Sequence, residues 1–163
     1  MTRPVPAFDW IGHHADLAPD SVALVDDGRD LTLTYADFED QTRRLAAWLS
    51  ANGVGPGDRV AMLAGNTTDV FEALFACAKL TAILVPLNWR LAIPELQFIV
   101  DDCWPQVLIY EDTYAAEAAA LTAPVKLQLG ADYAAAKERA DPAAVGPVTA
   151  THDDPWAILY TSG

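Results

Sequence analysis

Residues 59–87 read RVAMLAGNTTDVFEALFACAKLTAILVPL, and this stretch indicates the fold more clearly than any other. It begins with a strand-like run at Arg59–Ala64, continues through a helical pattern from about Thr67 to Lys79, and ends in a second run, Ala82–Leu87. The second run is apolar throughout, which is typical of a parallel strand covered by helices on both faces. Two strands joined by a helix form a βαβ unit, whose crossover we expect to be right-handed.

The same alternation continues on both sides of this unit. Upstream, short apolar runs at Val22–Val25 and Leu31–Thr34 predict a hairpin with Gly28 near its tip. The other predicted elements are helices at 10–17, 34–51, 94–103, 112–121 and 133–140, and strands at 106–110, 125–129 and 156–160. The sequence therefore predicts an α/β fold, a three-layer subdomain with a parallel sheet and an N-terminal β-hairpin.

Local signals place several helix ends. Thr34 and Asp37 have the spacing of a capping box, and Leu33 is placed to pack on Phe38. Gly53-Val-Gly55-Pro-Gly57 follows a helix and precedes a strand, whereas a dinucleotide-binding loop lies between a strand and a helix. We therefore interpret this glycine-rich stretch as a helix C-cap and turn.

Helical periodicity predicts which side chains form the core. The helix that follows Thr34 is expected to bury Phe38, Thr42, Leu45 and Leu49. The helix at 67–79 is expected to bury Val70, Phe71, Leu74, Phe75 and Ala78. Trp89 and Trp104 are most simply interpreted as packing residues.

Composition excludes several classes of protein. The 163 residues suffice for one domain, and 52% apolar against 20% charged residues excludes a disordered chain. With 10 Lys and Arg against 23 Asp and Glu, the net charge is −13, which argues against binding to nucleic acid or to an anionic membrane surface. A spanning helix needs about 20 consecutive apolar residues, and charges and Pro86 interrupt the best candidate, around 71–89.

The two cysteines and the N-terminus point to one compartment. Cys77 and Cys103 form no C-x-x-C motif, so we expect reduced thiols and not a disulfide scaffold. The N-terminal residues contain no apolar signal-peptide region. We therefore predict a cytoplasmic protein.

The spacing of the histidines and of the neighbouring aspartates does not indicate a metal site or an acid–base pair. His13, His14 and His152 lack ligand spacing, and adjacent histidines on a helix point in different directions. The neighbouring carboxylates of Asp26–Asp27 and Asp101–Asp102 also diverge, so we interpret them as solvated faces. We assign no metal ligand and no catalytic residue to this chain.

The last three residues form the strongest candidate binding site. A buried-type strand, Trp156–Tyr160, runs directly into Thr161, Ser162 and Gly163. Phosphate-binding loops often begin in this way, because glycine permits close approach while backbone N–H groups and hydroxyls donate to the anion.

Three stretches, in order, resemble adenylate-forming (AMP-binding) enzymes, in particular acyl-CoA synthetases. Residues 33–38 (LTYADF) resemble the first core motif of that superfamily, and residues 78–88 (AKLTAILVPLN) resemble the second, continuing into Trp89-Arg-Leu91. Residues 157–163 (AILYTSG) resemble the opening of the third, the ATP phosphate loop. The resemblance covers nearly the whole chain, but the remainder of the phosphate loop, with its lysine, and the later motifs are absent from it.

The resemblance implies that residues 1–163 are part of the large N-terminal domain of an acyl-CoA synthetase, truncated at the phosphate loop. Such an enzyme uses ATP, Mg²⁺ and CoA to activate a carboxylic acid as an acyl-adenylate and then to form the thioester. Thr161, Ser162 and Gly163 would donate to the ATP phosphates. The chain alone is expected to be inactive, and to self-associate through apolar surface and strand edges left exposed.

Two alternatives remain open at this point. One is an adenylation domain of the peptide-synthetase type, with a carrier-protein thiol as acceptor; Asn88-Trp89-Arg90 favours the CoA branch, because the peptide-synthetase motif usually carries an aspartate there. The other is a short, non-catalytic interaction module. The intact mass of the native gene product distinguishes this module from a fragment of an enzyme.

Overall fold

Six helices and six strands alternate along residues 9–161, the part of the chain that the computed structural model describes. They are α1 (Trp10–Leu17), β1 (Val22–Asp26), β2 (Leu31–Thr34), α2 (Tyr35–Ala51), β3 (Arg59–Leu63), α3 (Thr68–Lys79), β4 (Ile83–Pro86), α4 (Ile93–Cys103), β5 (Val107–Tyr110), α5 (Ala115–Ala120), β6 (Val125–Gln128) and α6 (Ala131–Glu138). Two short 3₁₀ turns, Asp112–Tyr114 and Pro142–Ala144, complete the series.

The main sheet is parallel, with strand order β4-β3-β5-β6, and β1 and β2 form the separate antiparallel hairpin. Alternate side chains of β3 enter two different cores: Val60 and Met62 pack with α2, α3 and α6, while Ala61 and Leu63 pack with α4 and α5. Helices therefore cover both faces of the sheet. The predicted α/β three-layer architecture with an N-terminal hairpin is confirmed.

Local sequence signals determine the helix ends as expected. The Thr34 hydroxyl accepts the Asp37 N–H at 3.1 Å, while the Asp37 carboxylate accepts the Thr34 N–H at 3.0 Å. The Thr34 hydroxyl also donates to the Asp37 carboxylate at 2.7 Å, and this bond, together with the one from the Thr34 N–H, lowers the pKa of Asp37. Gly53 and Gly57 have φ of +86° and +78°, the left-handed region that favours glycine, which confirms the turn after α2.

The prediction for the buried face of α3 was wrong in part. Phe71 is 50% exposed. The fully buried residues of α3 are Thr68, Glu72, Ala73, Ala76, Cys77 and Lys79, whereas Val70 and Leu74 are only partly buried. Small side chains at the centre of this face let α3 lie close to α2 and the sheet, and burial raises the pKa of the Cys77 thiol to about 12. Neither Cys77 nor Cys103 is in a disulfide.

Three other predicted elements differ in extent. The segment predicted as a strand at 156–160 makes one parallel bridge, Ala157 with Leu84 of β4, and lies mainly exposed at the edge of the sheet. The helix predicted at 112–121 begins as a 3₁₀ turn and becomes α-helical only at Ala115. Helix α6 begins and ends two residues before the predicted 133–140.

Lys79 is a deeply buried charge of the core. Its side chain is 2% exposed, and its Nζ lies 2.9 Å from Asp9 Oδ2 and 2.7 Å from Glu39 Oε2. Burial raises the pKa of Glu39, and the ammonium of Lys79 opposes that rise. The end of α3 is thereby tied to α2 and to the residue that caps α1.

Trp104 does not pack in the core as predicted. It is 74% exposed and ends α4 in the left-handed conformation, with φ of 49°. Trp104→Gly is expected to raise the free energy of unfolding by about 1 kcal/mol, since glycine adopts this conformation without a Cβ clash. Trp104→Ala keeps the Cβ and should bring no gain. Urea denaturation compares the two, and equal stabilities would contradict this account of the strain.

Glu72 of α3 forms a second buried charged contact. Its Oε1 accepts the Tyr133 hydroxyl at 2.9 Å and the Lys137 ammonium at 2.7 Å. Burial raises the pKa of Glu72, and the two donors partly oppose that rise. A carboxyl pKa raised by folding contributes stability that is present at low pH and lost as the pH rises through the folded-state pKa.

Tyr133→Phe is therefore expected to destabilise the protein more at pH 8 than near pH 5. At pH 8 the buried carboxylate loses a charge-assisted hydrogen bond, worth about 1.5–3 kcal/mol. Near pH 5 the carboxyl is increasingly protonated and the loss is smaller. Tyr110→Phe is the matched control, because the Tyr110 hydroxyl faces the neutral Gln128 amide at 3.4 Å. A Tyr133→Phe deficit that does not change with pH would refute this reading of Glu72.

Candidate functional site

The order of the strands directs attention to the carboxyl ends of β3, β4 and β5. Strand β4 lies on one side of β3 and β5 on the other, and α3 and α4 cover opposite faces. The strand order therefore reverses between β3 and β5, and open α/β sheets bind ligands outside the carboxyl ends of their strands, at such a switch point.

A cavity of about 380 Å³, called the crevice below, lies at this carboxyl edge on the β4 side of the switch point, between the loop after β3 and the loop after β4. Asn66, Asn88 and Arg90 supply its polar side chains. The Arg90 guanidinium lies 4.2 Å from the centre of the Trp89 ring, which stacks on Tyr114 at 6.0 Å. Trp89, predicted as a packing residue, thus packs against Tyr114 and remains 42% exposed.

The N-terminus of α3 opens beside this crevice, where a phosphate would be expected to bind. Two of the protein's own carboxylates lie near this helix start, although the side chain of the N-cap residue Thr67 does not cap it. Glu111 accepts the Gly65 N–H at 3.1 Å, and Asp69, in the first turn of α3, pairs with Arg29 of the hairpin at 2.5 Å. Glu111 and Asp69 weaken the attraction of this helix end for another anion, and Arg29 offsets part of that effect.

The segment that carries the predicted phosphate-binding residues lies at the other side of β4. The Leu84 N–H donates to the Trp156 carbonyl at 3.1 Å, and the Tyr160 hydroxyl donates to Asp102 at 2.5 Å. Thr161 follows this segment and is exposed. It lines neither the crevice nor a cavity between the start of α1, the end of α3 and residues 148–156. Ser162 and Gly163 lie outside the described residues.

The other candidate site residues from the sequence, histidines and neighbouring aspartates, do not form a common site. Asp101 and Asp102 are exposed at the end of α4, and His14 stacks near Tyr35 at 4.8 Å. Within residues 9–161, no group of three or more His, Cys, Asp or Glu side chains could hold a metal ion, and no helix there is long and apolar enough to cross a membrane.

Sequence reasoning missed the crevice. Asn66 and Asn88 each follow a buried strand by three or fewer residues, and the carboxyl ends of neighbouring parallel strands meet at one edge. That spacing could have predicted the crevice from the sequence. Glu111 carried no such signal, because it lies 46 residues from Gly65.

The fold and this edge define a doubly wound α/β domain of the kind that binds small molecules at its carboxyl edge. Residues 11–163 match the family of AMP-binding enzymes, and the chain belongs to that family.

Known relatives agree with this assignment. The chain is 39% identical to a fatty acid–[acyl-carrier-protein] ligase, ScoC of Streptomyces coeruleorubidus, over 92% of its own length and 29% of the relative's. It is also 39% identical to an indoleacetate–CoA ligase of Aromatoleum aromaticum, over 95% of the chain and 32% of that protein. A fatty acyl CoA synthetase structure from Mycobacterium tuberculosis superimposes with a TM-score of 0.87 and 31% identity, covering 94% of this chain and 32% of that one.

The chain thus spans about a third of the length of these relatives. It corresponds to the predicted family of acyl-CoA and fatty acid ligases, and the resemblance inferred from its three motifs is confirmed.

Proposed function

We propose that this chain is the N-terminal part of an ATP-dependent ligase that activates a carboxylic acid and transfers it to CoA. The observation that carries the proposal is the family match over residues 11–163, in an order of elements shared with a fatty acyl CoA synthetase. In the first step a carboxylate oxygen attacks the α-phosphorus of ATP, and pyrophosphate leaves. In the second step a thiol attacks the acyl carbon, and AMP leaves.

Thr161, Ser162 and Gly163 begin the loop that binds the β- and γ-phosphates in this proposal. The carboxylates of Glu111 and Asp69 near the start of α3 support it indirectly, because they weaken the attraction of that helix N-terminus for a phosphate. Mg²⁺ would accompany ATP and offset charge on its phosphates. We assign the metal no ligand among residues 9–161, which contain no suitable cluster.

The phosphate-binding role can be tested by substitution in the longer protein that carries these residues. Thr161→Val with Ser162→Ala is expected to raise the KM for ATP by about tenfold or more, since hydrogen bonds to charged groups are lost. The KM for the acid should not change. Thr122→Val, at another exposed threonine, is the matched control. An unchanged KM for ATP would remove these residues from the site.

CoA is proposed as the acceptor, although the relatives include ligases for CoA and for an acyl carrier protein. Asn88-Trp89-Arg90 favours CoA on the resemblance described above. Supplying the longer protein with its acyl-adenylate and either CoA or a phosphopantetheinylated carrier protein separates the two acceptors. Faster thioester formation on the carrier would overturn the choice of CoA.

The proposal that residues 1–163 are a fragment is tested by the intact mass of the native gene product. A mass well above 17.5 kDa is expected. A mass near that value would favour the short interaction module instead. The cytoplasmic location and the self-association of the isolated chain stay predictions; Phe98 and Leu159, 69% and 70% exposed, are apolar side chains that would support self-association.

A further inference from the structure

The protein has a second cavity, of about 430 Å³, which shares no lining residue with the crevice. It is a groove between the start of α1, the end of α3 and the segment 148–156. Rings of Trp10, Phe75 and Trp156 line it. This volume is within the range of small-molecule pockets.

The aromatic wall of this groove is held in place. Phe75 and Trp156 meet edge to face, with ring centroids 5.4 Å apart, and Trp156 Nε1 donates to the Leu74 carbonyl at 3.1 Å. Trp156 is nevertheless 40% exposed, and Trp10 is 57% exposed. Both residues are therefore partly accessible to a ligand in the groove, and the face of an indole attracts cations.

The charges of the groove are unbalanced toward negative. The titratable residues that line it are two carboxylates, Asp9 and Asp154, one ammonium, Lys79, and one imidazole, His152. Glu39, behind the lining, shares the Lys79 ammonium with Asp9. All three contacts of Lys79 Nζ, at 2.7–3.1 Å, are with carboxylate oxygens. Lys79 therefore has no donor left for an incoming anion.

Asp154 adds another carboxylate to the lining. It is fixed by Thr151, whose N–H and hydroxyl donate to it at 2.7 and 2.9 Å. A carboxylic acid in its ionised form would meet this carboxylate as well as Asp9. The groove is therefore unsuited to the acid that the proposed ligase would activate.

We propose that this groove binds a small organic cation, an ammonium group carried on an aromatic or short aliphatic body. The body would pack on the indole and phenyl rings, and the ammonium would lie toward Asp154 and Asp9. Cation–π attraction and charge complementarity favour such a ligand over a neutral one of equal shape. The inference is independent of the ligase activity.

Three probes of similar shape and different charge test the proposal in the 163-residue chain: naphthylethylammonium, naphthylpropionamide and naphthylpropionate. Isothermal titration calorimetry at pH 8 is expected to show the ammonium binding about tenfold or more tightly than the amide. The carboxylate should bind more weakly than either. Equal affinities for the three probes, or no heat with the ammonium at millimolar concentration, would overturn the proposal.

Asp154→Asn and the matched control Asp153→Asn separate a local site from the general attraction of a chain with net charge −13. Both variants lose one negative charge, but only Asp154 lines the groove. Asp154→Asn should weaken ammonium binding by about threefold or more, and Asp153→Asn should leave it unchanged. Equal weakening by both variants would refute the site.

Trp156→Leu provides a second variant, which removes a π face and keeps an apolar side chain. It is expected to lower the affinity for the ammonium more than the affinity for the amide. Urea denaturation of each variant verifies that it is folded. An equal loss for the two probes would show that the ring contributes only apolar area, and the cation proposal would fail.

Discussion

Residues 1–163 alone are expected to catalyse no ATP–pyrophosphate exchange above background with any fatty or aromatic acid. Attack on the α-phosphate requires preorganised donors for the charge that develops, and the loss of one such donor costs about 10²–10³ in rate. Thr161 is exposed at the end of the described chain, and the α3 N-terminus holds the protein's own carboxylates. The net charge of −13 also opposes the approach of ATP.

The measurement is exchange of labelled pyrophosphate into ATP with a panel of acids, together with calorimetric titration of ATP. We expect an affinity for ATP no tighter than the millimolar range, about −4 kcal/mol. The longer protein that carries these residues is the positive control and should show acid-dependent exchange. Acid-dependent exchange by the purified 163-residue chain would overturn the view that it is an inactive fragment. Absence of exchange from the longer protein would instead overturn the proposed ligase function.

Lys79→Met is expected to have the largest effect on stability, a loss of about 3–5 kcal/mol. Methionine fills the volume of the lysine stem, but Asp9 and Glu39 then face each other without the ammonium that both contact. For a domain of this size the loss corresponds to a fall in Tm of roughly 6–20 °C. Lys126→Met is the control, because Lys126 is exposed and its Nζ contacts only the Ala119 carbonyl at 3.3 Å.

The Lys79→Met deficit should depend on pH. The ammonium holds down a Glu39 pKa that burial raises, so its removal lets that pKa rise further. A carboxyl with a raised folded-state pKa favours the folded protein at low pH and ceases to do so as the pH rises through that pKa. Urea denaturation should therefore find a larger deficit at pH 8 than near pH 5.

A triple variant gives an independent check on this explanation. Asp9→Asn, Glu39→Gln and Lys79→Met together remove all three charges, and the uncharged set should recover most of the stability. If the triple variant is as unstable as Lys79→Met, lost packing and not uncompensated charge is the cause. A loss below about 1 kcal/mol in Lys79→Met would contradict the central role given to this contact.

The sequence by itself determined the parts of this protein that depend on neighbouring residues. The capping box of Thr34 and Asp37, the left-handed glycines after α2 and the apolar run of β4 act within a few residues, and all three were predictable. The alternation of such segments was enough to indicate a parallel α/β sheet. Three short motifs, in order, indicated the family.

Only the tertiary structure decided which side chains meet across the chain. Periodicity could not show that α3 buries Glu72 and Lys79 while exposing Phe71, because the partners that make those charges tolerable lie elsewhere. Lys79 meets Asp9 and Glu39 across 70 and 40 residues. Glu111 accepts the Gly65 N–H, just before α3, across 46 residues, and so places a negative charge near that helix end. Burying a charge is unfavourable unless a partner compensates it, and a partner distant in sequence leaves no trace in the local pattern.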